Sequence, residues 1–152
     1  MVAEPEPRSP EPSARVRRLT AADLMLPAPT VHPGDTTVAT VRDFLAGEHV
    51  HCALLVDRTG LLIAMVERAD LARATDPHQP AAGLAPIAAY PDRSVPLDAT
   101  AEQVWARFTP DRRRVAVLDE HGRLAGLLCL KRRRTGFCTP ADVAARAADP
   151  RR

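Results

Sequence analysis

The chain has 152 residues, of which 45% are hydrophobic and 3% aromatic, and its formal net charge is +2. Such a length suits one compact domain, or two very small units that share a core. No apolar stretch approaches the ~18 residues of a membrane span, and no cationic start followed by an apolar run marks a secretory signal. We therefore expect a cytoplasmic protein without a membrane partner.

The chain begins with residues 1–18, which are rich in Pro, Glu and Arg and are predicted to form a disordered tail. A first folded unit is predicted over residues 19–77. Its two strands are continuous apolar runs, which is typical of strands covered on both faces. The predicted elements in chain order are a short helix from Thr20, an extended segment at Thr30, a helix that starts at Asp35 and stops at Gly47, strands at 52–56 and 61–66 around a turn, and a helix at 68–75.

A second unit, predicted over residues 78–148, repeats this order of elements, and residues 149–152 form a short C-terminal tail. The turn at Asp119 follows the turn at Asp57 by 62 residues along the chain. A repeat of this length indicates one supersecondary unit that is used twice.

The second unit contains an insertion. Asp142 follows Asp70 by 72 residues rather than 62, so ten extra residues are present at about 127–136. They include the cationic run Lys131-Arg-Arg-Arg134.

Two motifs carry a family resemblance. The first is Asp57-Arg-Thr-Gly60 with Glu67-Arg-Ala-Asp70-Leu71, and the second is Asp119-Glu-His-Gly122 with Thr139-Pro-Ala-Asp142-Val143. Over residues 19–148 the chain resembles a tandem pair of CBS domains (named after cystathionine β-synthase), the unit called a Bateman module. The resemblance implies an α/β fold with two pseudo-symmetric CBS-type repeats, each a small sheet with two main helices, packed as one module.

The resemblance also implies a function. CBS pairs bind adenosine-containing ligands such as AMP, ATP or S-adenosylmethionine between the copies, and many regulate another protein and dimerise. We therefore expect a stand-alone regulatory module that forms a homodimer and acts on an unidentified protein partner. No cofactor is assigned beyond such a ligand, an adenine nucleotide or S-adenosylmethionine.

The predicted binding residues follow the family pattern, in which a Thr or Ser at the strand end contacts phosphate and the Asp three residues later binds ribose. In the second copy these are Thr139 and Asp142, at a helix N-terminus that suits phosphate. Ser94 and Val95, matched with the segment at Thr30, are expected to line that site. The complete predicted set is Thr139, Asp142, Ser94, Val95, Asp70 and Thr30.

Two alternatives apply to these motifs. Thr139 and Asp142 also have the spacing of a helix capping box, so the residues alone favour neither a cap nor a ligand site. In the first copy Glu67 replaces the phosphate-binding hydroxyl and repels phosphate by roughly 1–4 kcal/mol. That cleft is interpreted as degenerate, or as selective for a nucleoside without a nearby phosphate, where Asp70 still holds the ribose.

Residues 107–134 carry nine cations and three anions, a local charge of +6 that attracts anions. The run from Lys131 to Arg134 is open to three interpretations: a solvated hairpin tip, a cover that neutralises polyphosphate, or a nucleic-acid contact. No zinc finger, helix-turn-helix or aromatic platform accompanies it, so we expect no nucleic-acid partner. Two alternative functions remain: a ligand-free interaction scaffold, and nucleic-acid binding through the insertion.

The remaining reactive residues predict neither an enzyme nor a metal site. Cys52, Cys129 and Cys138 are an odd number at no metal-ligand spacing, so reduced, mostly buried thiols are expected. The His residues at 49 and 51 are interpreted as ordinary surface, and Trp105 as core. No serine or Cys/His pair has the context of a catalytic nucleophile.

Overall fold

The computed structural model describes residues 19–131 and 136–147. The predicted tails at 1–18 and 149–152 and the cationic residues 132–134 lie outside the described residues. The helices are α1 (Ala21–Leu24), α2 (Val38–Leu45), α3 (Arg68–Leu71), α4 (Ala101–Trp105) and α5 (Pro140–Ala147). The strands are β1 (Leu26–Pro27), β2 (Val31–Pro33), β3 (Cys52–Val56), β4 (Leu62–Glu67), β5 (Ser94–Pro96), β6 (Arg114–Leu118) and β7 (Leu124–Cys129), and 3-10 turns lie at Ala81–Leu84, Ile87–Ala89 and Pro91–Arg93.

The strands form two sheets that repeat one arrangement. In the first sheet, ordered β2-β3-β4, an antiparallel hairpin of β3 and β4 is joined by β2, which runs parallel to β3. In the second sheet, ordered β1-β7-β6-β5, β6 and β7 form the hairpin, β5 runs parallel to β6, and β1 is added beside β7. The predicted α/β fold with two repeated units is confirmed.

The two hairpins turn through the same local structure. Asp57 accepts a hydrogen bond from the Leu61 N–H at 3.0 Å, and Asp119 accepts one from the Arg123 N–H at 2.9 Å. The glycine three residues after each Asp has a φ of 89° or 81°, a region that glycine adopts at no steric cost. The two hairpins therefore correspond residue by residue at the 62-residue offset seen in the sequence.

Strand β3 lies between two layers of the core. Its alternate residues Ala53 and Leu55 face the core of the first unit, together with α2. Cys52 and Leu54 face the other way, into a cluster that includes Ala116 of the second sheet. Because successive side chains point to opposite faces of a strand, both faces of β3 are covered and all four residues are buried. The prediction of doubly covered strands is confirmed here.

The two units exchange the segments that precede their sheets. Helix α1 and strand β1 pack on the second sheet: the Ala21 N–H donates to the Ala99 carbonyl at 2.9 Å, and Leu26 pairs with Leu127. Conversely, Ala81 donates to the Thr36 carbonyl at 2.9 Å and is fully buried in the core of the first unit. Units that are contiguous in sequence are therefore not separate in space.

The helices are shorter than the sequence pattern predicts, and one core residue is misplaced. Helix α3 ends at Leu71 rather than near residue 75, and no helix of the described residues has the length and apolar character of a membrane span. The prediction that Trp105 lies in the core is wrong, since its side chain is 41% exposed. The reason is that Ala101 and Val104 already face the core from this one-and-a-half-turn helix, which leaves Trp105 at the edge.

Candidate functional site

A cleft lies where helix α5 begins, between the two sheets. Its apolar part has a volume of about 460 Å³, which is within the usual size of ligand pockets. Thr30 and Val50 from the first unit and Leu127 and Pro140 from the second are among the residues that line it. We call this site, with the basic part described next, the open cleft.

The basic part of the open cleft adjoins the apolar part. It has a volume of about 850 Å³ and shares His49, His51 and Arg114 with the apolar part, so the two are continuous. Arg113 and Lys131 bring further positive charge, and the His51 Nε2 lies 3.4 Å from the Arg113 Nη2. The open cleft therefore has one apolar end and one end with three cationic side chains and the carboxylates of Glu48 and Asp142.

Helix α5 begins at the junction of the two parts, with Pro140 lining the apolar part and Asp142 the basic part. The Asp142 Oδ2 accepts hydrogen bonds from the Thr139 N–H at 2.8 Å and the Thr139 hydroxyl at 3.0 Å. In return, the Asp142 N–H donates to the Thr139 Oγ1 at 3.2 Å. This is a capping box, so the structural alternative for the pair is realised. The Asp142 carboxylate nevertheless stays 39% exposed in the cleft.

The corresponding position in the first copy is the start of helix α3, where Asp70 is 1% exposed. Its Oδ2 accepts from the Glu67 N–H at 2.7 Å, as Asp142 does from Thr139. Arg93 then binds both carboxylate oxygens of Asp70, from Nη1 at 2.7 Å and from Nη2 at 3.2 Å. Both carboxylate oxygens of Asp70 are therefore bound by guanidinium N–H groups of the chain itself.

Glu67 is also neutralised. Arg112 binds it through two hydrogen bonds, of 2.9 Å from Nε and 3.1 Å from Nη2, and donates to Asp92 at 2.9 Å. Arg93 adds an ion pair to Glu67 at 3.1 Å. We call the five residues Glu67, Asp70, Asp92, Arg93 and Arg112 the ion-pair cluster.

The pKa values reflect these contacts. Burial raises the pKa of Asp70, but the hydrogen bonds from Arg93 and the Glu67 N–H outweigh it, and the net pKa is lowered. The hydrogen bonds to Glu67 raise the pKa of Arg112 above its usual value, against the effect of burial. The cluster is therefore a set of charged groups that neutralise one another.

Strand pairing shows how the two sites correspond. Val31 pairs with Leu54 in the first sheet, and Ser94 pairs with Ala116, the equivalent of Leu54, in the second. Ser94 is thus the counterpart of Val31 rather than of Thr30, and the sequence match is off by one residue. The true counterpart of Thr30 is Arg93.

The structure places the six predicted binding residues in three locations. Thr30 lines the open cleft with Asp142, next to Thr139. Ser94 and Val95 do not line it, since Val95 is 3% exposed in the core of the second unit, and a shift of one residue turns a strand's side chains to the other face. Asp70 lies in the ion-pair cluster.

Four residues of the open cleft were missed as site residues: His49, His51, Arg113 and Arg114. The available signal was a polar or cationic run directly before each buried central strand. Arg114 is only 6% exposed, and a buried arginine at the start of a strand is uncommon enough to indicate a site.

The cysteines also differ from the prediction of reduced thiols. Cys129 and Cys138 form a disulfide with a Cα–Cα distance of 5.3 Å, and Cys52 is free and buried. The ten-residue insertion brings the end of β7 and the start of α5 side by side, which the spacing alone did not reveal. The described residues contain no group of three His, Cys, Asp or Glu side chains that could hold a metal ion.

Comparisons with known proteins find similarity to CBS domains. The CBS domain family model matches residues 21–76. A search of curated proteins finds no match. The cytosolic domain of the Mg²⁺ channel MgtE, solved with ATP, is 28% identical with a TM-score of 0.58; the match covers 77% of this chain and 48% of that one, so the chain spans about half of that relative.

Two further solved structures show the same fold at lower identity. CBSX2 in complex with AMP is 20% identical, with a TM-score of 0.55 and coverage of 88% of this chain and 98% of that one. The CBS domain pair of MJ0100, with 5-methylthioadenosine and S-adenosyl-L-methionine, is 15% identical, with a TM-score of 0.56 and coverage of 85% and 95%. Residues 21–76 thus match a CBS domain in sequence, and the chain as a whole has the fold of CBS domain pairs.

Proposed function

We propose that this chain is a regulatory module that binds an adenosine-containing ligand in the open cleft. The observation that carries the proposal is the continuity of an apolar cavity with a basic one, with a helix N-terminus at their junction. An adenine ring is flat and apolar on its faces, whereas its attached phosphates are anionic. The open cleft offers one end to each.

Named groups suit each part of such a ligand. The exposed carboxylate of Asp142 can accept hydrogen bonds from both ribose hydroxyls. The N-terminus of α5 and the side chains of Arg113, Arg114 and Lys131 favour phosphate. Support also comes from the relatives, whose structures contain ATP, AMP, or 5-methylthioadenosine with S-adenosyl-L-methionine.

We expect one ligand per chain. In the ion-pair cluster, Arg93 and Arg112 occupy the positions that correspond to Thr30 and Val50 of the open cleft. Their guanidinium groups take up the carboxylates that a second ligand would need. The first copy thus functions as a fixed support for the second.

Binding would act on other proteins through the packing between the sheets. The cluster around Leu54, Met65 and Ala116 joins them directly beneath the cleft, and a ligand that favours one packing shifts the population toward it. We propose that a homodimer in the cytoplasm presents this change to a protein partner. Light scattering at several concentrations tests the dimer, since a constant monomer mass contradicts it.

Calorimetry with ATP, AMP, S-adenosylmethionine and adenosine tests the proposed function. At least one should bind with a stoichiometry of one, and Asp142→Ala should abolish that binding. Asp23→Ala is the matched control, because Thr20 and Asp23 form the same capping box, with N–H and hydroxyl bonds of 2.9 and 3.0 Å, away from the cleft. Equal loss in both variants would mean that the cap, not a ligand contact, was removed.

The ion-pair cluster favours a second candidate, a ligand-free interaction scaffold. It shows that one of the two sites is already filled by side chains. Absence of binding by all four compounds at millimolar concentration would favour this alternative.

A further inference from the structure

All three cysteines of the chain surround the open cleft. Cys52 and Cys129 line its apolar part, and Cys138 lines its basic part. The Cα–Cα distance of 5.3 Å between Cys129 and Cys138 lies in the normal range for a disulfide. The bond therefore lies in the wall of the cleft.

The disulfide joins the two ends of the insertion that distinguishes the copies. In the first copy, α3 begins at the residue after β4, so its position follows directly from the strand. In the second copy, β7 ends at Cys129 and α5 begins at Pro140. The bond to Cys138 holds the start of α5 beside β7 across this gap, one residue before Thr139.

Noncovalent contacts of the described residues also join the two ends of the insertion. Cys138 donates its N–H to the Cys129 carbonyl at 2.6 Å, and Lys131 donates to Gly136 at 2.8 Å. Phe137 packs on Trp105, with ring centroids 5.6 Å apart at the partly exposed edge of the second unit. Phe137 also packs on Phe108, with ring centroids 5.7 Å apart, and the Lys131 Nζ lies 3.8 Å from the Asp142 Oδ2. Beside these noncovalent contacts, the disulfide is a covalent constraint on the ends of the insertion.

We propose that Cys129 and Cys138 are a reversible redox switch that sets the position of Thr139 and Asp142 and so the affinity of the open cleft. In the reducing direction a dithiol donates two electrons: its thiolate attacks one sulfur of the disulfide, and a mixed disulfide forms. The second thiol of the reductant then attacks the mixed disulfide and releases the cysteine that was still bonded to the reductant. The protein gains two electrons and two protons as two thiols, and the reductant becomes a disulfide.

The reductant reaches the bond through the cleft, because both cysteines are at most 6% exposed but line its cavities. A ligand in the cleft therefore shields the bond. By linkage, if oxidation strengthens ligand binding, the ligand favours the oxidised form by the same factor.

The third cysteine does not interfere with the pair. Burial raises the pKa of the Cys52 thiol to about 12. Because the thiolate is the attacking species in exchange, Cys52 stays protonated and does not exchange with the neighbouring disulfide.

The first experiment needs no ligand. Titration of the unfolded protein with a thiol reagent should find one free thiol after oxidation and three after reduction, and three in both would overturn the proposal. Amide hydrogen exchange of residues 136–142 should be about tenfold faster after reduction, with β3 and β4 unchanged. The fluorescence of Trp105, the only tryptophan, should change as Phe137 moves.

Two variants complete this test. Cys129→Ser/Cys138→Ser should exchange rapidly at 136–142 in both redox conditions, whereas Cys52→Ser should respond as the wild type does. If the double variant fails to fold, the oxidised and reduced wild type carry the test alone. Equal exchange in those two states would overturn the proposal.

The effect on affinity rests on the proposed function and is measured separately. ATP should bind about fivefold or more weakly to the reduced protein, and ATP should slow reduction by dithiothreitol. Equal ATP affinity in the oxidised and reduced protein would contradict the redox switch and leave the proposed function intact. If hydrogen exchange responds to reduction but the protein binds no nucleotide, the proposed function is contradicted, and the redox switch remains for a different ligand.

Discussion

The ion-pair cluster and the open cleft are two versions of one site, and they differ at matched positions. Asp70 and Asp142 each cap a helix with the same backbone hydrogen bond. One is 1% exposed and bound by Arg93, whereas the other is 39% exposed at a cavity. The difference teaches that a repeated fold can keep the backbone geometry of a site while one copy buries its carboxylate against a guanidinium and the other leaves it exposed beside a lysine, with the Lys131 Nζ 3.8 Å from the Asp142 Oδ2.

The same substitution in both copies should break this comparison most strongly. Asp70→Asn removes the carboxylate that binds buried Arg93 through two hydrogen bonds and leaves Arg93 with Glu67 as its remaining ion-pair partner. We expect a loss of about 3–5 kcal/mol in the free energy of unfolding. Asp142→Asn removes an exposed cap acid and should cost less than about 1 kcal/mol. Urea denaturation of both variants measures the gap. Similar losses would contradict the assignment of Asp70 to a buried charge network.

Acid should remove the advantage of Asp70. Its pKa is lowered in the folded state, so its charge stabilises the fold above the unfolded value of about 3.9. That stability is lost as the pH falls through the lower folded pKa. The difference in unfolding free energy between wild type and Asp70→Asn should therefore be constant near neutrality and shrink below about pH 4. A stability difference that persists in strong acid would contradict the assignment of this stability to the charge of Asp70.

Reduction should weaken the second copy and spare the ion-pair cluster. The Cys129–Cys138 bond spans a sequence separation of 9, and closing such a loop contributes about 2–3 kcal/mol by the chain-entropy estimate. Reduced wild type should unfold at correspondingly lower denaturant. A protein with Cys129→Ser/Cys138→Ser should show no response to reductant, and a response in that variant would assign the effect elsewhere.

The smallest expected effect concerns charge in the open cleft. Lys131→Gln should weaken ATP binding by about 1 kcal/mol or less, because an exposed cation interacts modestly with phosphate, and should leave adenosine binding unchanged. Arg123→Gln, which removes the same charge from an exposed turn, is the control. Calorimetry at low and high salt checks both, and equal weakening of adenosine binding would contradict a phosphate contact.

The sequence predicted what is local. The paired turns at Asp57 and Asp119 and the cap at Thr139 are fixed by residues within four positions of each other, so their motifs could be recognised. The register of β5 was wrong by one residue because a three-residue strand pairs only through distant β6, and its own sequence does not define that pairing.

The ion-pair cluster and the disulfide could not be predicted, because they depend on contacts between residues that no local motif connects. Arg93 reaches Asp70 over 23 positions, and Arg112 reaches Glu67 over 45. No local pattern indicates either partner. The disulfide was missed because an odd number of cysteines gives no pairing, and the antiparallel bridge between Leu130 and Phe137, which places Cys129 beside Cys138, joins residues on either side of the insertion.

The exchanged segments have a consequence for synthesis of the chain. Helix α1 and strand β1 leave the ribosome early, but the backbone groups they bind, at Ala99 and Leu127, are made much later. The first sheet in turn waits for Ala81. Domains usually fold on emergence, N-terminal first, yet neither half of this molecule can complete its hydrogen bonding alone. The nascent chain therefore stays incompletely folded until the second hairpin has emerged, and the two halves mature in a single step.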